Sequence, residues 1–251
     1  MIELDKIYNE DCLTGMERIP DRSIDCVICD LPYGTSSCPW DVVIPFEPLW
    51  AHYRRLVKPK GNILLFASGR FMFSLYASQP DFYRYDLIWQ KSRCGSPLTA
   101  KYMPLKMHEH ILVFGEPASV YNPQMTSGGK PYKKEYDHAY TDINNHKFGI
   151  SGVHSDNHGE RHPTSVLTFG QKWRRQDQLH PTQKPVDLIR WLVRAYSNEG
   201  DTILDNCMGS GTTAIACMRE KRHFIGFETN GQYFEVANRR IEKEGSVLDE
   251  C

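Results

Sequence analysis

No stretch of the 251-residue chain approaches the roughly 18 consecutive apolar residues of a membrane span. Its opening, MIELDKIYNE, carries neither the basic patch nor the apolar core of a secretory leader. Together these absences point to a cytoplasmic protein with no membrane association. A dominant charge sign is missing too: 30 Lys/Arg stand against 31 Asp/Glu, a formal net charge of -1. That balance excludes a uniformly basic nucleic-acid coat and leaves room for a local basic surface. No Gly-Lys-Ser/Thr follows a glycine loop, which excludes a P-loop, and no segment repeats. The eight cysteines lack the spacing of a disulfide framework, and several sit in apolar runs such as CVIC (26–29) and AIAC (214–217). They read as reduced, buried thiols.

One spacing needs separate treatment. Cys26-x-x-Cys29 has the separation of a redox dithiol or of half a zinc site, but no second pair of cysteines stands at zinc spacing. His154, His158 and His162 recur every four residues, yet Gly152, Gly159 and Pro163 surround them and no apolar helical face accompanies them. No metal site is expected.

The first part of the chain alternates apolar runs with turn-rich segments. IDCVICD (24–30), GNILLFAS (61–68), YDLIWQ (85–90) and EHILVFG (109–115) read as strands, and FEPLWAHYRRLVK (46–58) as an amphipathic helix. This βαβ rhythm with a late hairpin predicts a mostly parallel sheet covered by helices. It stops between 116 and 178, where Gly, Pro, Asn, His, Lys and Tyr dominate. The stretch from Lys91 to Gln176 holds twelve Lys/Arg against seven Asp/Glu, a surface on which a polyanion can land. Regular structure then resumes: PVDLIRWLVRAYSNEG (185–200) reads as a helix, DTILD (201–205) as a strand, GTTAIACMRE (211–220) as a helix, HFIGFE (223–228) as a strand and QYFEVANRRIEKE (232–244) as a helix.

Two strand ends carry chemistry. In DNCMGSGTT (205–213) a strand ends at Asp205 and Gly209-Ser-Gly211 leads into a helix. Glycines there let the backbone approach a ligand, and a helix start offers unpaired N–H groups. Glu228, ending the next strand, suits ribose hydroxyls. In DLPYG (30–34), Asp30 offers a carboxylate acceptor, Leu31 a carbonyl and Tyr33 a ring face, with Pro32 fixing their placement. Two acceptors beside a stacking ring suit an exocyclic amine on a planar base.

In order, NEDCLTGM (9–16), DLPYG (30–34), HPTQKP (180–185), DNCMGSGTT (205–213) and FIGFE (224–228) resemble the amino-DNA methyltransferases of the β permutation, in which the DPPY-type motif precedes the cofactor loop. The resemblance covers roughly 1–115 and 163–245. It implies a circularly permuted, Rossmann-like α/β fold that depends on S-adenosyl-L-methionine. Its sheet would be mostly parallel and seven-stranded, with one antiparallel strand. Residues 1–115 would form the catalytic half, 116–178 an inserted target-recognition region and 179–251 the cofactor-binding half.

Carried over position by position, the resemblance implies that Asp205, Cys207, Gly209, Ser210, Gly211 and Thr212 line the methionine part of the cofactor. Glu228 would hold its ribose, Asp11 and Cys12 would meet its adenine edge, and Lys184 would lie near its carboxylate. Asp30, Leu31, Pro32 and Tyr33 would receive the target base, with Asp30 also bordering the cofactor. Leu31 stands where the family usually has Pro, a mild departure because the role belongs to a backbone carbonyl. Cys207 stands where a large apolar residue is usual, which loosens that contact.

An acid at position 30 is the family's more usual choice for adenine N6 over cytosine N4. A C5-cytosine enzyme needs a Pro-Cys nucleophile, and only Cys38-Pro39, in reversed order, comes near. The expected function is therefore site-specific methylation of a flipped adenine in double-stranded DNA. The alternatives are cytosine-N4 methylation, action on RNA or protein, or a binding module that keeps only the fold. Lys130, Lys133, Lys134, Lys147, Arg161, Lys172, Arg174 and Arg175 are the candidate DNA contacts. The resemblance admits a homodimer and a partner restriction endonuclease, and no feature of the sequence specifies either.

Overall fold

The computed structural model of the chain describes residues 2–36, 38, 41–94, 100–136, 140–141, 147–148, 153–170 and 183–249, with backbone alone for 134–136, 140–141, 147–148, 153–155 and 249. It divides into two compact units, Met1–Asn122 with Ser165–Cys251, and Pro123–Thr164.

In the larger unit the chain runs through β1 (Lys6–Tyr8), α1 (Cys12–Met16), β2 (Ile24–Cys29), α2 (Phe46–Leu56), β3 (Val57–Ala67), α3 (Arg70–Ser78), β4 (Tyr83–Gln90) and β5 (His108–Gly115). The smaller unit contributes β6 (Tyr132–Tyr136), β7 (Tyr140–Thr141), β8 (Lys147–Phe148) and β9 (Val153–Asn157). The chain then returns through β10 (Val166–Thr168), α4 (Val186–Tyr196), β11 (Thr202–Asp205), α5 (Thr212–Arg219), β12 (His223–Phe227) and α6 (Gly231–Asp249).

The sheet of the larger unit has the order β1-β12-β11-β2-β3-β5-β4-β10. Every neighbouring pair is parallel except the two that involve β5, which runs against both β3 and β4. The single antiparallel strand is as expected, but among the described residues the sheet has eight strands rather than seven. The extra one is β10, which lies in a stretch without a strand-like pattern and pairs with the edge strand β4 through Val166–Ile88, Leu167–Trp89 and Thr168–Gln90.

Side-chain alternation along β2 sorts its residues into two cores. Cys26 and Ile28 pack on one face with Leu188, Leu192, Ala214 and Ala216 from α4 and α5. Val27 and Cys29 pack on the other with Met16, Leu49, Trp50, Tyr53 and Phe71 from α1, α2 and α3. Full burial of each Val, Leu, Ile, Phe or Met side chain among these contributes about 1.5–3 kcal/mol, and a strand buried on both faces reads as an unbroken apolar run. The result is a sheet with a helical layer on each side.

Between β11 and β2 the connections diverge: β11 leads through α5 to β12 on one side, β2 through α2 to β3 on the other. Such a switch point opens a crevice at the carboxyl ends of the strands. Asp205 ends β11 and Asp30 follows β2, so two motifs far apart in the chain meet at one crevice.

The smaller unit pairs β6 with β9 and β7 with β8, both antiparallel. It is shorter than the 116–178 segment marked out by composition. Asn122 is tied into the larger unit by its amide, which donates to the carbonyls of Arg194 and Ser197, and β10 belongs to the main sheet. His154 falls in strand β9 with His158 and His162 beyond it, so the four-residue spacing of the histidines is not displayed on a helix.

Candidate active site

The glycine corner is anchored from three sides. Asp205, 4% exposed, accepts from the Cys207 amide at 3.1 Å and from the Thr213 hydroxyl at 2.6 Å, lacing the strand end to the start of α5. Burial pushes its carboxyl up to about 6, against the pull of these hydrogen bonds. Tyr53 of α2 donates to Asn206 at 2.6 Å. Arg240 of α6 donates to the Ser210 carbonyl and, at 3.1 Å, to its hydroxyl, and burial lowers its pKa. Sequence reasoning passed over both Asn206 and Arg240. Asn206 lay inside the quoted motif, whereas Arg240 carried no signal at all.

Both loop glycines have left-handed backbones, with φ 55° at Gly209 and 80° at Gly211. Beyond that they differ. A Cβ on Gly209 would meet nothing within 4 Å, so this position faces open space. At Gly211 it would stand 3.0 Å from the Cβ of Ala237, so that glycine lets α6 approach.

Glu228 follows β12 and is fixed by two backbone donors, Gly209 N–H on Oε2 and Asn230 N–H on Oε1, each at 2.8 Å. Burial raises its pKa in spite of them. Asp11 caps α1 by accepting from the Thr14 amide at 3.1 Å. Cys12, buried behind it, lies 3.7 Å from the Asn206 amide nitrogen, and Cys207 lies 3.6 Å from the same atom.

At the second corner Tyr33 donates to Asp30 Oδ1 at 2.8 Å and stacks its ring on Phe71 of α3, with centroids 4.8 Å apart and planes 22° apart. The Leu31 side chain is 3% exposed within the core, so a residue other than Pro is accommodated by packing. Asp41 accepts from three successive amides, those of Gly34, Thr35 and Ser36, and so pins the loop that follows the motif. Burial opposes the charge of Asp41, but these hydrogen bonds, with that of the Ser36 side chain, prevail and hold its carboxyl below the usual range.

Lys184, expected near the cofactor carboxylate, lines the cavity between the two corners and is held there by acids. Its ammonium pairs with Asp30 Oδ2, lies 3.5 Å from Glu109 Oε2 and sits 5.0 Å from the centroid of the Phe66 ring. It is thus engaged at the Asp30 corner. Glu109, near the start of β5, is also paired with Lys91. Read in the sequence only as part of a strand, Glu109 had no local pattern to mark it.

A cavity of about 530 Å³ joins the two corners. It is lined by Asp11, Cys12, Asp30, Leu31, Pro32, Tyr33, Lys184, Asp205, Cys207, Gly209, Ser210, Thr212 and Glu228, and also by Glu109. Gly211, behind the loop, is outside it. A sequence profile of the N6/N4 DNA methylases matches residues 24–239, across both corners and the segment between them. The chain belongs to this DNA methylase family. It is an S-adenosylmethionine-dependent DNA methyltransferase.

Among its relatives, the type II methyltransferase M.HpaI of Haemophilus parainfluenzae is 27% identical over 257 residues, covering 97% of this chain and 76% of that protein. The type II methyltransferase M1.MboII of Moraxella bovis is 27% identical over 267 residues, covering 95% and 96%. Two solved structures share the fold. The M1.HpyAVI–SAM complex has a TM-score of 0.63 at 22% identity, with 94% of this chain and 98% of that one covered. The cytosine-N4-specific PvuII DNA methyltransferase has a TM-score of 0.66 at 17% identity, with 97% and 91% covered.

Of the basic residues in the methyltransferase's smaller unit, Lys130 is exposed and Lys133 is exposed with an ion pair to Asp156 at 3.0 Å. Arg161 is used within the unit: it donates to Asn157 and to the Glu160 and Lys130 carbonyls, and its guanidinium lies 5.1 Å from the Tyr132 ring centroid. Lys134 and Lys147 fall in β6 and β8, with side chains outside the described set, and Lys172, Arg174 and Arg175 lie outside the described residues. Among the described residues no helix is long and apolar enough to cross a membrane.

Proposed function

We propose that the enzyme methylates the N6 amino group of adenine flipped out of duplex DNA, with the glycine corner holding the cofactor and the Asp30 corner the base. The observation that carries this reading is the shared cavity: an acidic acceptor beside an aromatic ring opens onto the same space as the glycine loop and Glu228. The residues fit the cofactor. The cavity is of ordinary ligand size, Gly209 leaves its side of the loop open, and Glu228 is a carboxylate prepared to accept from a diol. Asp205, Cys207, Gly209, Ser210 and Thr212 would border its methionine part, and Asp11 and Cys12 its adenine.

S-adenosylmethionine, when bound, supplies an electrophilic methyl group on a sulfonium. The protein's part is to make a poor nucleophile competent. An aromatic amine delocalises its lone pair into the ring. Asp30 and the Leu31 carbonyl, by accepting its two hydrogens, favour rehybridisation and aim the lone pair. Each carboxylate oxygen has room for a second donor, so Asp30 can serve the amine while keeping Tyr33 and Lys184. Both acceptors strengthen as positive charge develops on nitrogen, and Asp30 is placed to take the surplus proton. Tyr33, backed by Phe71, offers the flipped base a stacking surface that offsets unstacking costs of a few kcal/mol.

The acid at position 30 favours adenine over the cytosine-N4 reaction. Sequencing that reports modified bases, on DNA exposed to the purified protein, tests this. N6-methyladenine at one short sequence is the expected result, and N4-methylcytosine would overturn the choice of base.

The smaller unit is the proposed target-recognition region. Replacing Lys130, Lys133, Lys134 and Lys147 by Gln should flatten the salt dependence of DNA binding by about 0.9 in log–log slope for each lysine that meets a phosphate. An unchanged slope would remove these lysines from the interface. Arg161, being an internal tie, should instead affect the stability of the unit. The type II naming of relatives supports a partner restriction endonuclease, the family resemblance supports a homodimer, and a DNA substrate implies a cytoplasmic location.

A further inference from the structure

Beneath the base corner lies a row of alternating charges. Lys91 pairs with Glu109 Oε1, Glu109 Oε2 lies 3.5 Å from Lys184, and Lys184 pairs with Asp30 Oδ2. The side chains of Glu109 and Lys184 are only 12% and 9% exposed, whereas Asp30 is 26% exposed, on the cavity. Glu109 Oε2 lies at the outer limit of hydrogen-bond reach of Lys184, whose close contact is with Asp30.

We propose that Lys184 and Glu109 are positioning residues for the methylation reaction: together they set the charge and orientation of Asp30, the group that receives the amine. The proposal rests on the assignment of Asp30 to the target base.

Its physical basis is the environment of that carboxylate. Burial favours the neutral acid, and a protonated Asp30 loses acceptor strength where it is needed. Lys184 opposes this directly, while Glu109 acts in two senses: its charge raises the Asp30 pKa, yet it also holds Lys184 in place. The other groups facing Asp30 are Tyr33 from its own segment, which favours the ionised form by donating, and Asp205 of β11 and Cys29 of β2. Lys91 reaches it only through Glu109. The row carries two positive and two negative charges, so each change of one member leaves an imbalance with a definite sign.

That sign is the test. Methyl transfer is measured in single turnovers of the full-length enzyme on duplex DNA, at saturating S-adenosylmethionine, as a function of pH. Activity requires ionised Asp30, so it is lost as pH falls through the Asp30 pKa. Lys184→Met should move that acid limb upward by about 1–3 pH units. Lys184→Arg should return most of the shift. Glu109→Gln should move the limb downward, because Lys184 then faces one carboxylate only. Cofactor affinity, read by calorimetry, should stay within about twofold in all three variants, since a shift of a tenfold order marks a contact worth about 1.4 kcal/mol.

Acid limbs that stay in place, or move in the same direction for Lys184→Met and Glu109→Gln, overturn the proposal. So does a cofactor affinity that falls tenfold or more in Lys184→Met, which would return Lys184 to the cofactor carboxylate. A wild-type enzyme that methylates no DNA would instead sink the functional reading itself.

Discussion

Asp30→Ala should lower methyl transfer by about 10³-fold, the loss typical of removing one preorganised electrostatic contact from a transition state. Cofactor binding should persist. Several observations make this a clean substitution. Among the described residues Asp30 is bound by the side chains of Tyr33 and Lys184 and holds up no backbone segment. Lys184, on losing it, keeps Glu109 at 3.5 Å and so is not left as an unpaired buried charge. The glycine corner is anchored independently by Asp205, Tyr53 and Arg240. Single-turnover methylation and calorimetry with S-adenosylmethionine, run on the same preparation, separate chemistry from binding. Wild-type rates in the variant would refute the role of Asp30.

Glu228→Ala should act at the other corner, raising the dissociation constant for S-adenosylmethionine by about 10²-fold. The carboxylate has two jobs. It would accept from ribose hydroxyls, and it fixes the glycine loop through the Gly209 amide at 2.8 Å. Hydrogen bonds to a charged group are worth about 1.5–3 kcal/mol each, and a hundredfold change needs roughly 2.8 kcal/mol, so loss of one or two suffices. The acceptor must be ionised, and burial raises its pKa. Cofactor affinity should therefore be present at neutral pH and weaken as pH falls, beginning above the range of an ordinary glutamate. Calorimetry over pH checks both statements. Salt-dependent binding to DNA should remain, and an unchanged cofactor affinity would exclude Glu228 from the site.

How far the sequence led can be judged from single residues. Gly209, Gly211 and Asp205 announced themselves because a strand end, a glycine turn and a helix start are local events, written within nine residues. The helix expected over 46–58 was legible for the same reason, though it ends at Leu56 and passes straight into β3: Leu49, Trp50, Tyr53 and Leu56 recur at helical spacing, and all four are buried. By contrast, β10 is three residues long and earns its place by pairing with an edge strand, so nothing local could have revealed it. The boundary at 122 was likewise hidden, because it depends on where one asparagine amide finds its acceptors.

The CVIC stretch divides the two kinds of knowledge most sharply. Its apolar character determined a doubly buried strand, and alternation along that strand sends Cys26 and Cys29 into opposite cores, so their spacing cannot make a dithiol. That much follows from the sequence once the strand is granted. The partner of Lys184 does not. Its charge was evident, but its pairing with Asp30 depended on which strands meet at the switch point. Local pattern determines elements and the residues at their ends. Only the packing of β2, β5 and the approach to α4 around one crevice decided that Lys184, Glu109 and Asp30 form a single charged cluster.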